Sequence, residues 1–206
     1  SLEWLRKRDK SKPFLLMSQH KAPHREWAPA LRHLGADKDR VYPEPETLFD
    51  DYANRGIAVR DQDMTLEKTF TPRDAKLEAP PNMTAEQRKA RDAYYEPRNA
   101  KFQAANLSGK DLVRWRYQRY MHDYTGTVRA VDESVGRLLD YLEQEGIADN
   151  TIVVYGTDNG AETGTWPDGG TTPFRGEKAS TWEGGYRVPM LIRWPAQIKP
   201  GSVSNG

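Results

Sequence analysis

Cysteine is absent from the 206 residues, which excludes a disulfide framework and any thiolate metal centre. Net charge is nearly absent as well. With 31 basic against 30 acidic residues the formal charge is +1, so nothing points to nucleic acid or an anionic membrane as partner, and any anion site must be local. Long apolar runs are missing: no stretch reaches the roughly 18 residues of a membrane span. Residues 1–14 have neither an initiator Met nor the apolar core of a signal peptide. The chain stops in KPGSVSNG, a turn-like stretch with no final element. Both ends read as cut, and the expectation is an interior segment of a longer domain.

What is present is globular in type. Hydrophobic residues make up 36%, with 6 Trp and 10 Tyr; that is polar for a folded protein but too aromatic for a disordered one. The length suits one sizeable core.

Residues 13–18 (PFLLMS) form a short apolar run that fits a buried strand. Residues 40–107, with six prolines, are the least regular part and read as an insertion in which short helices fit 46–55 and 84–95. From Tyr124 the apolar positions Val128, Val131, Val135, Leu138 and Leu142 step by 4, 3, 4, 3 and 4. That period predicts a helix, extended backwards to about residue 111 and stopped by Gly146. Gly126 and Gly136 allow a bend or break in it. Residues 151–155 (TIVVY) predict a strand covered on both faces, and Met190 to Ile192 begin another. A helix leading straight into a buried strand points to an α/β fold with parallel strands.

Three polar clusters bear chemistry. His20 to His24 (HKAPH) and Thr157 to Gly160 (TDNG) each follow a predicted strand, where α/β sheets bind ligands. The third is Arg175 to Lys178 (RGEK) with Trp182 to Gly185 (WEGG) after it. Asp158 and Asn159 offer oxygen donors suited to a hard cation, but two donors fall short of the roughly six to eight that calcium takes. The same Asp-Asn-Gly is also a turn sequence; a hairpin turn would need an alternating strand after it, and 162–165 (ETGT) supplies none. His24 is either a ligand for an anionic oxygen or a structural histidine beside proline. Lys178 is either a point charge for a sulfate or phosphate oxygen or simply a solvated lysine. Asp50-Asp51 reads as a solvated helix face. Arg114, Arg116 and Arg119, interleaved with Trp115, Tyr117 and Tyr120, read as a helix surface rather than a glycan platform.

In order and context these segments are more specific. The run VDESVGRLLDYLEQEGIADNTIVVYGTDNG, the segment RGEKASTWEGGYRVPMLIRWPAQIKPG and the segment PFLLMSQHKAPH resemble the sulfatase family, in family order and across nearly the whole chain. The resemblance implies an alkaline-phosphatase-like α/β/α sandwich with a mostly parallel central sheet, incomplete in this chain, residues 1–206 being part of the catalytic domain. It implies hydrolysis of a sulfate ester on a carbohydrate or aryl group, by a formylglycine nucleophile and a calcium ion. By motif, Asp158 and Asn159 look like metal ligands, His24 and Lys178 like sulfate-contacting catalytic residues, and His20 like a further substrate contact. Periplasmic, secreted or lysosomal residence is implied by the resemblance alone.

The family's paired-Asp first strand and its Cys/Ser-x-Pro-x-Arg nucleophile motif do not occur here. The segment by itself is therefore expected to be inactive. Two other readings stay open: a phosphoester hydrolase of the same superfamily, and a non-catalytic scaffold that keeps the fold.

Overall fold

The computed structural model describes residues 1–61, 63, 65–162 and 173–204. Positions 163–165, used above to argue against a hairpin, lie outside the described residues. The element order is α1 (Leu2–Lys7), α2 (Ile57–Asp61), α3 (Ala85–Ala105), α4 (Gly109–Gln144), β1 (Val153–Gly156), α5 (Glu183–Tyr186) and β2 (Met190–Arg193), with single 3-10 turns at Leu31–His33, Glu46–Phe49 and Ala148–Asn150. The chain divides into two compact units. One comprises Ser1–Pro43 and Phe70–Tyr141; the other comprises Glu44–Thr69 and Leu142–Gly206.

The first unit is built on α3 and α4. Thr84 starts α3 with a capping box: its hydroxyl accepts from the Gln87 N–H, and the Gln87 side chain accepts from the Thr84 N–H. Such a cap contributes about 1 kcal/mol. The helix expected over 84–95 runs on through Pro97 to Ala105. A mid-helix proline costs about 3 kcal/mol, and packing on both sides of it overrides that cost. Tyr95 bonds Asp123, Asn99 bonds Arg119, and Phe102 stacks on Trp115 at 3.7 Å. In each pair the two residue numbers sum to 217 or 218, so α3 and α4 run antiparallel, joined by a turn whose Asn106 takes the left-handed conformation.

The helix α4 is continuous across both of its glycines. Gly126 marks a close approach, because a Cβ there would lie 2.9 Å from Pro29. Past its end Gly146 adopts φ +66°. Gly146 N–H donates to Glu143 and Ile147 N–H to Leu142, the paired bonds of a Schellman stop. Trp115 and Tyr120 are engaged inside the unit, Tyr120 against the buried Trp27 at 4.6 Å; Arg119 is itself buried and bonded to Asn99, so at that position the expected helix surface is corrected to core.

Residues 13–18 are not a strand. Leu15 is 85% exposed and Met17 is exposed too, so this expectation is overturned. Backbone pairing, not apolar content, makes a strand, and no described strand pairs with this run.

In the second unit, Asp50 and Asp51 turn back onto the N–H groups of Tyr52 and Ala53. Those local bonds compete with helical ones, so the helix expected over 46–55 shrinks to Glu46–Phe49. β1 and β2 pair antiparallel, with Val153 opposite Arg193 and Gly156 opposite Met190. The α/β class stands, but this strand pair is not parallel. Nor is β1 covered on both faces: Val154 is 58% and Tyr155, on the other face, 48% exposed. Among the described residues the sheet has only these two strands, and such a ribbon carries no layer of its own to bury them.

Candidate active site

The polar loop expected after β1 is where the sequence puts it. Asp158 and Asn159 follow Gly156 at the carboxyl end of the strand. Asp158 Oδ1 accepts from the Asn159 N–H at 3.0 Å, and the Thr157 hydroxyl donates to the Asn159 carbonyl at 3.2 Å. These bonds orient the pair while leaving Asp158 Oδ2 and the Asn159 side-chain oxygen for a ligand.

The segment carrying Lys178 is stitched to this loop by backbone bonds. Gly160 N–H donates to the Gly185 carbonyl at 2.9 Å, and Lys178 N–H to the Ala161 carbonyl at 3.1 Å. Gly184 N–H closes the segment on itself at Arg175, 2.8 Å. The approach is too close for side chains: a Cβ on Gly160 would lie 1.8 Å from the Gly184 oxygen. The glycines of the Asp-Asn-Gly and Glu-Gly-Gly motifs are therefore needed to bring the two backbones together. Ser180 shapes the turn that presents Lys178, its hydroxyl donating to the Glu177 carbonyl at 2.6 Å and accepting from the Glu177 N–H at 3.1 Å. The Lys178 ammonium sits 3.7 Å from Glu162, and both side chains are partly exposed. Asp158, Asn159 and Lys178 thus belong to one local assembly in the second unit.

His24 belongs to the first unit. Its Nδ1 lies 2.7 Å from the Arg25 carbonyl. A carbonyl only accepts, so Nδ1 carries the proton, and in the neutral ring Nε2 holds the free lone pair. His24 lines a cleft of ≈ 760 Å³ with Lys21, Arg25, Thr71, Arg73 and Asp74. His20 is nearby in sequence, but its Nε2 is bonded to the Ser134 hydroxyl of α4 at 2.9 Å, leaving Nδ1 for any other contact.

Sequence reasoning missed Asp74, which is 1% exposed. It takes Arg25 Nε at 2.8 Å and, through its other oxygen, Arg25 Nη2; that second oxygen also accepts from the N–H and hydroxyl of Thr71, each at 2.8 Å. Burial works to raise the Asp74 pKa, but the Arg25 and Thr71 bonds outweigh it and hold the carboxyl below the ordinary carboxylate range. The signal that marks it is the Thr71-x-x-Asp74 spacing, in which a Thr and an Asp three apart bind each other's backbone.

For a hard cation, the donor chemistry of Asp158 and Asn159 is suitable, one carboxylate and one amide oxygen. Among the described residues no three His, Cys, Asp or Glu side chains group as a metal site, and the two donors alone would make only part of the shell that calcium takes.

Comparison with known proteins supplies the context. The Sulfatase family profile matches residues 1–206. The N-acetylglucosamine-6-O-sulfatase of Bacteroides thetaiotaomicron is 43% identical over 223 aligned positions, covering 100% of this chain and 38% of that protein. The human N-acetylgalactosamine-6-sulfatase is 40% identical over 84 residues, 40% of this chain and 16% of that one. A solved structure of a protein with its substrate D-glucosamine-2-N,6-O-disulfate superposes with a TM-score of 0.82 at 42% identity, over 98% of this chain and 42% of the other. The chain thus spans about two fifths of the length of the relatives that match it throughout.

Proposed function

Since the chain belongs to the sulfatase family, we propose that the protein hydrolyses a sulfate ester on an amino sugar, with the 6-O-sulfate of N-acetylglucosamine as the first substrate to test. The observation that carries this reading is the backbone stitching that sets Lys178 against the Asp158-Asn159 loop, at 3.1 Å and 2.9 Å. It brings a cation together with hard oxygen donors at a strand end. The substrate class is taken from the Bacteroides relative, by name an N-acetylglucosamine-6-O-sulfatase, and from the solved neighbour, whose substrate is a sulfated glucosamine. The named relatives act on sulfates, which favours this reading over phosphoester hydrolysis.

In this proposal each residue has a distinct task. Asp158 and Asn159 contribute two oxygens to a calcium ion, which when bound draws electron density from a sulfate oxygen. Lys178 exchanges its loose contact with Glu162 for a sulfate oxygen, a point charge that offsets the negative charge of the transferred group. His24, held at Nδ1, works at Nε2: neutral it accepts a hydrogen bond, protonated it donates a proton to the departing sugar oxygen. His20 has Nδ1 left for the substrate. No Cys or Ser here stands in a Cys/Ser-x-Pro-x-Arg motif. The formylglycine is proposed to come from sequence outside these residues, and residues 1–206 made alone are proposed to be inactive. Residence outside the cytoplasm, in periplasm, medium or lysosome, completes the reading.

The test is an assay of the complete protein on N-acetylglucosamine-6-O-sulfate, with calcium binding followed in parallel. Asp158→Ala is expected to lose calcium affinity and turnover together. Lys178→Ala is expected to keep the metal and raise the barrier by about 2–4 kcal/mol. Unchanged activity in both variants, or a wild type that leaves the sulfate in place, rules the assignment out.

A further inference from the structure

We propose that Asp74 is a positioning residue for His24, acting through Arg25. This rests on the proposed role of His24 in sulfate-ester hydrolysis. The chain of contacts is short and directional. Asp74 holds Nε and Nη2 of the Arg25 guanidinium side-on, and the N–H and hydroxyl of Thr71 both donate to the oxygen that takes Nη2. Holding the Arg25 guanidinium restrains the main chain that carries it, and the Arg25 carbonyl receives the Nδ1 proton of His24 at 2.7 Å. That bond selects the tautomer with the Nε2 lone pair free and sets the plane of the ring. An arginine fork against a carboxylate resists rotation in a way that a single bond does not.

Asp74 is itself held from beneath. The Lys76 ammonium donates to the Asp74 carbonyl at 2.9 Å and lies 3.6 Å from Asp123 of α4. The Lys76 carbonyl in turn accepts from Asn99 at 3.0 Å and from Arg91, both on α3. Lys76 takes φ +59° to make these contacts at once, a conformation costly for a side chain-bearing residue and sustained only by surrounding bonds. The rigid pair of helices thus reaches, through Lys76, Asp74 and Arg25, to a histidine in an exposed loop. Residues 71–76 serve the cleft even though nothing in their sequence names a catalytic group. Of the other two carboxylates lining the cleft, Glu26 is engaged by Arg73 at 3.1 Å.

A double-mutant cycle in the complete protein tests this, with N-acetylglucosamine-6-O-sulfate as the probe. Asp74→Asn keeps the shape and loses the charge that orients the fork; kcat is expected to fall on the order of 10²-fold, the usual cost of a misplaced reacting group, with KM nearly unchanged. In a His24→Ala background the same Asp74→Asn change is expected to cost less than about twofold, because what it positions is gone. Arg25→Lys, which retains the charge but not the fork, is expected to repeat both results and stands in if Asp74→Asn fails to fold. A loss of equal size with and without His24 overturns the positioning role, since a purely structural effect multiplies. A wild type with no sulfatase activity overturns instead the reading beneath it, and this role falls with that reading.

Discussion

Gly160 donates its backbone N–H to the carbonyl of Gly185 at 2.9 Å, across 25 residues of sequence, and neither position tolerates a side chain at that approach. The contact joins the loop holding Asp158 and Asn159 to the turn that carries Lys178. Gly160→Ala places a methyl group 1.8 Å from the Gly184 oxygen, so the two segments must separate. The expected cost is about 1–3 kcal/mol of stability, accompanied by loss of activity in the complete protein. A variant with wild-type melting and wild-type turnover would contradict the stitched geometry.

Glu162 competes for the Lys178 ammonium at 3.7 Å. Both groups are partly exposed, so the pair contributes at most about 1 kcal/mol. Glu162→Gln frees Lys178 for an incoming anion. The expected outcome is a KM for the sulfated sugar lowered by a few-fold, with stability within about 0.5 kcal/mol of wild type. A raised KM would mean that Glu162 orients Lys178 rather than occupying it.

Lys76 and Asp123 are both buried 3.6 Å apart, and the Tyr95 hydroxyl donates to Asp123 Oδ1 at 2.7 Å. Burial raises the Asp123 pKa and lowers that of Lys76, each against the attraction of the other. Removing one partner strands the other. Asp123→Ala and Lys76→Ala are each expected to destabilise by about 3–5 kcal/mol, and the double variant Lys76→Ala with Asp123→Ala by clearly less than their sum. Chemical denaturation of the single and paired variants checks this; strict additivity would show that the two charges do not depend on each other.

The acid limb of stability should pass through Asp74. Its folded pKa lies below the unfolded value. Its contribution is therefore fully present above about pH 4, the unfolded carboxylate range, and disappears as the pH falls through the folded pKa. The stability gap between wild type and Asp74→Asn is expected to be widest near neutrality and to close on acidification. Urea titrations at several pH values measure that gap, and one that stays constant or widens towards low pH has the wrong sign for this assignment.

The elements legible in the sequence are those set by local pattern. The period of Val128 to Leu142 yields α4, Gly146 yields its stop, and Val153 to Tyr155 lie in β1. Where tertiary contacts decide, the pattern misleads. Pro97 breaks no helix because Tyr95, Asn99 and Phe102 anchor α3 to α4. Leu15 and Met17 look like a strand interior but pair with no strand among the described residues, and both are exposed. For the candidate site, Asp158, Asn159 and Lys178 were legible as motifs and the structure brings them into one assembly. Asp74 was not: the Thr71-x-x-Asp74 spacing marks only a local turn, its bond to Arg25 spans 49 residues, and no short motif records a bond of that range.

The antiparallel register of α3 and α4 has a kinetic consequence. Its contacts link residues 28, 20 and 13 positions apart, so closing them costs little chain entropy. The bond from Tyr141 to the Leu5 carbonyl spans 136 positions and must wait for a much larger loop. The helical hairpin is thus expected to assemble first and to serve as the platform on which the N-terminal segment docks. In pulsed hydrogen exchange during refolding, amides of 95–123 should gain protection before those of 2–7, and the reverse order would refute this sequence of events.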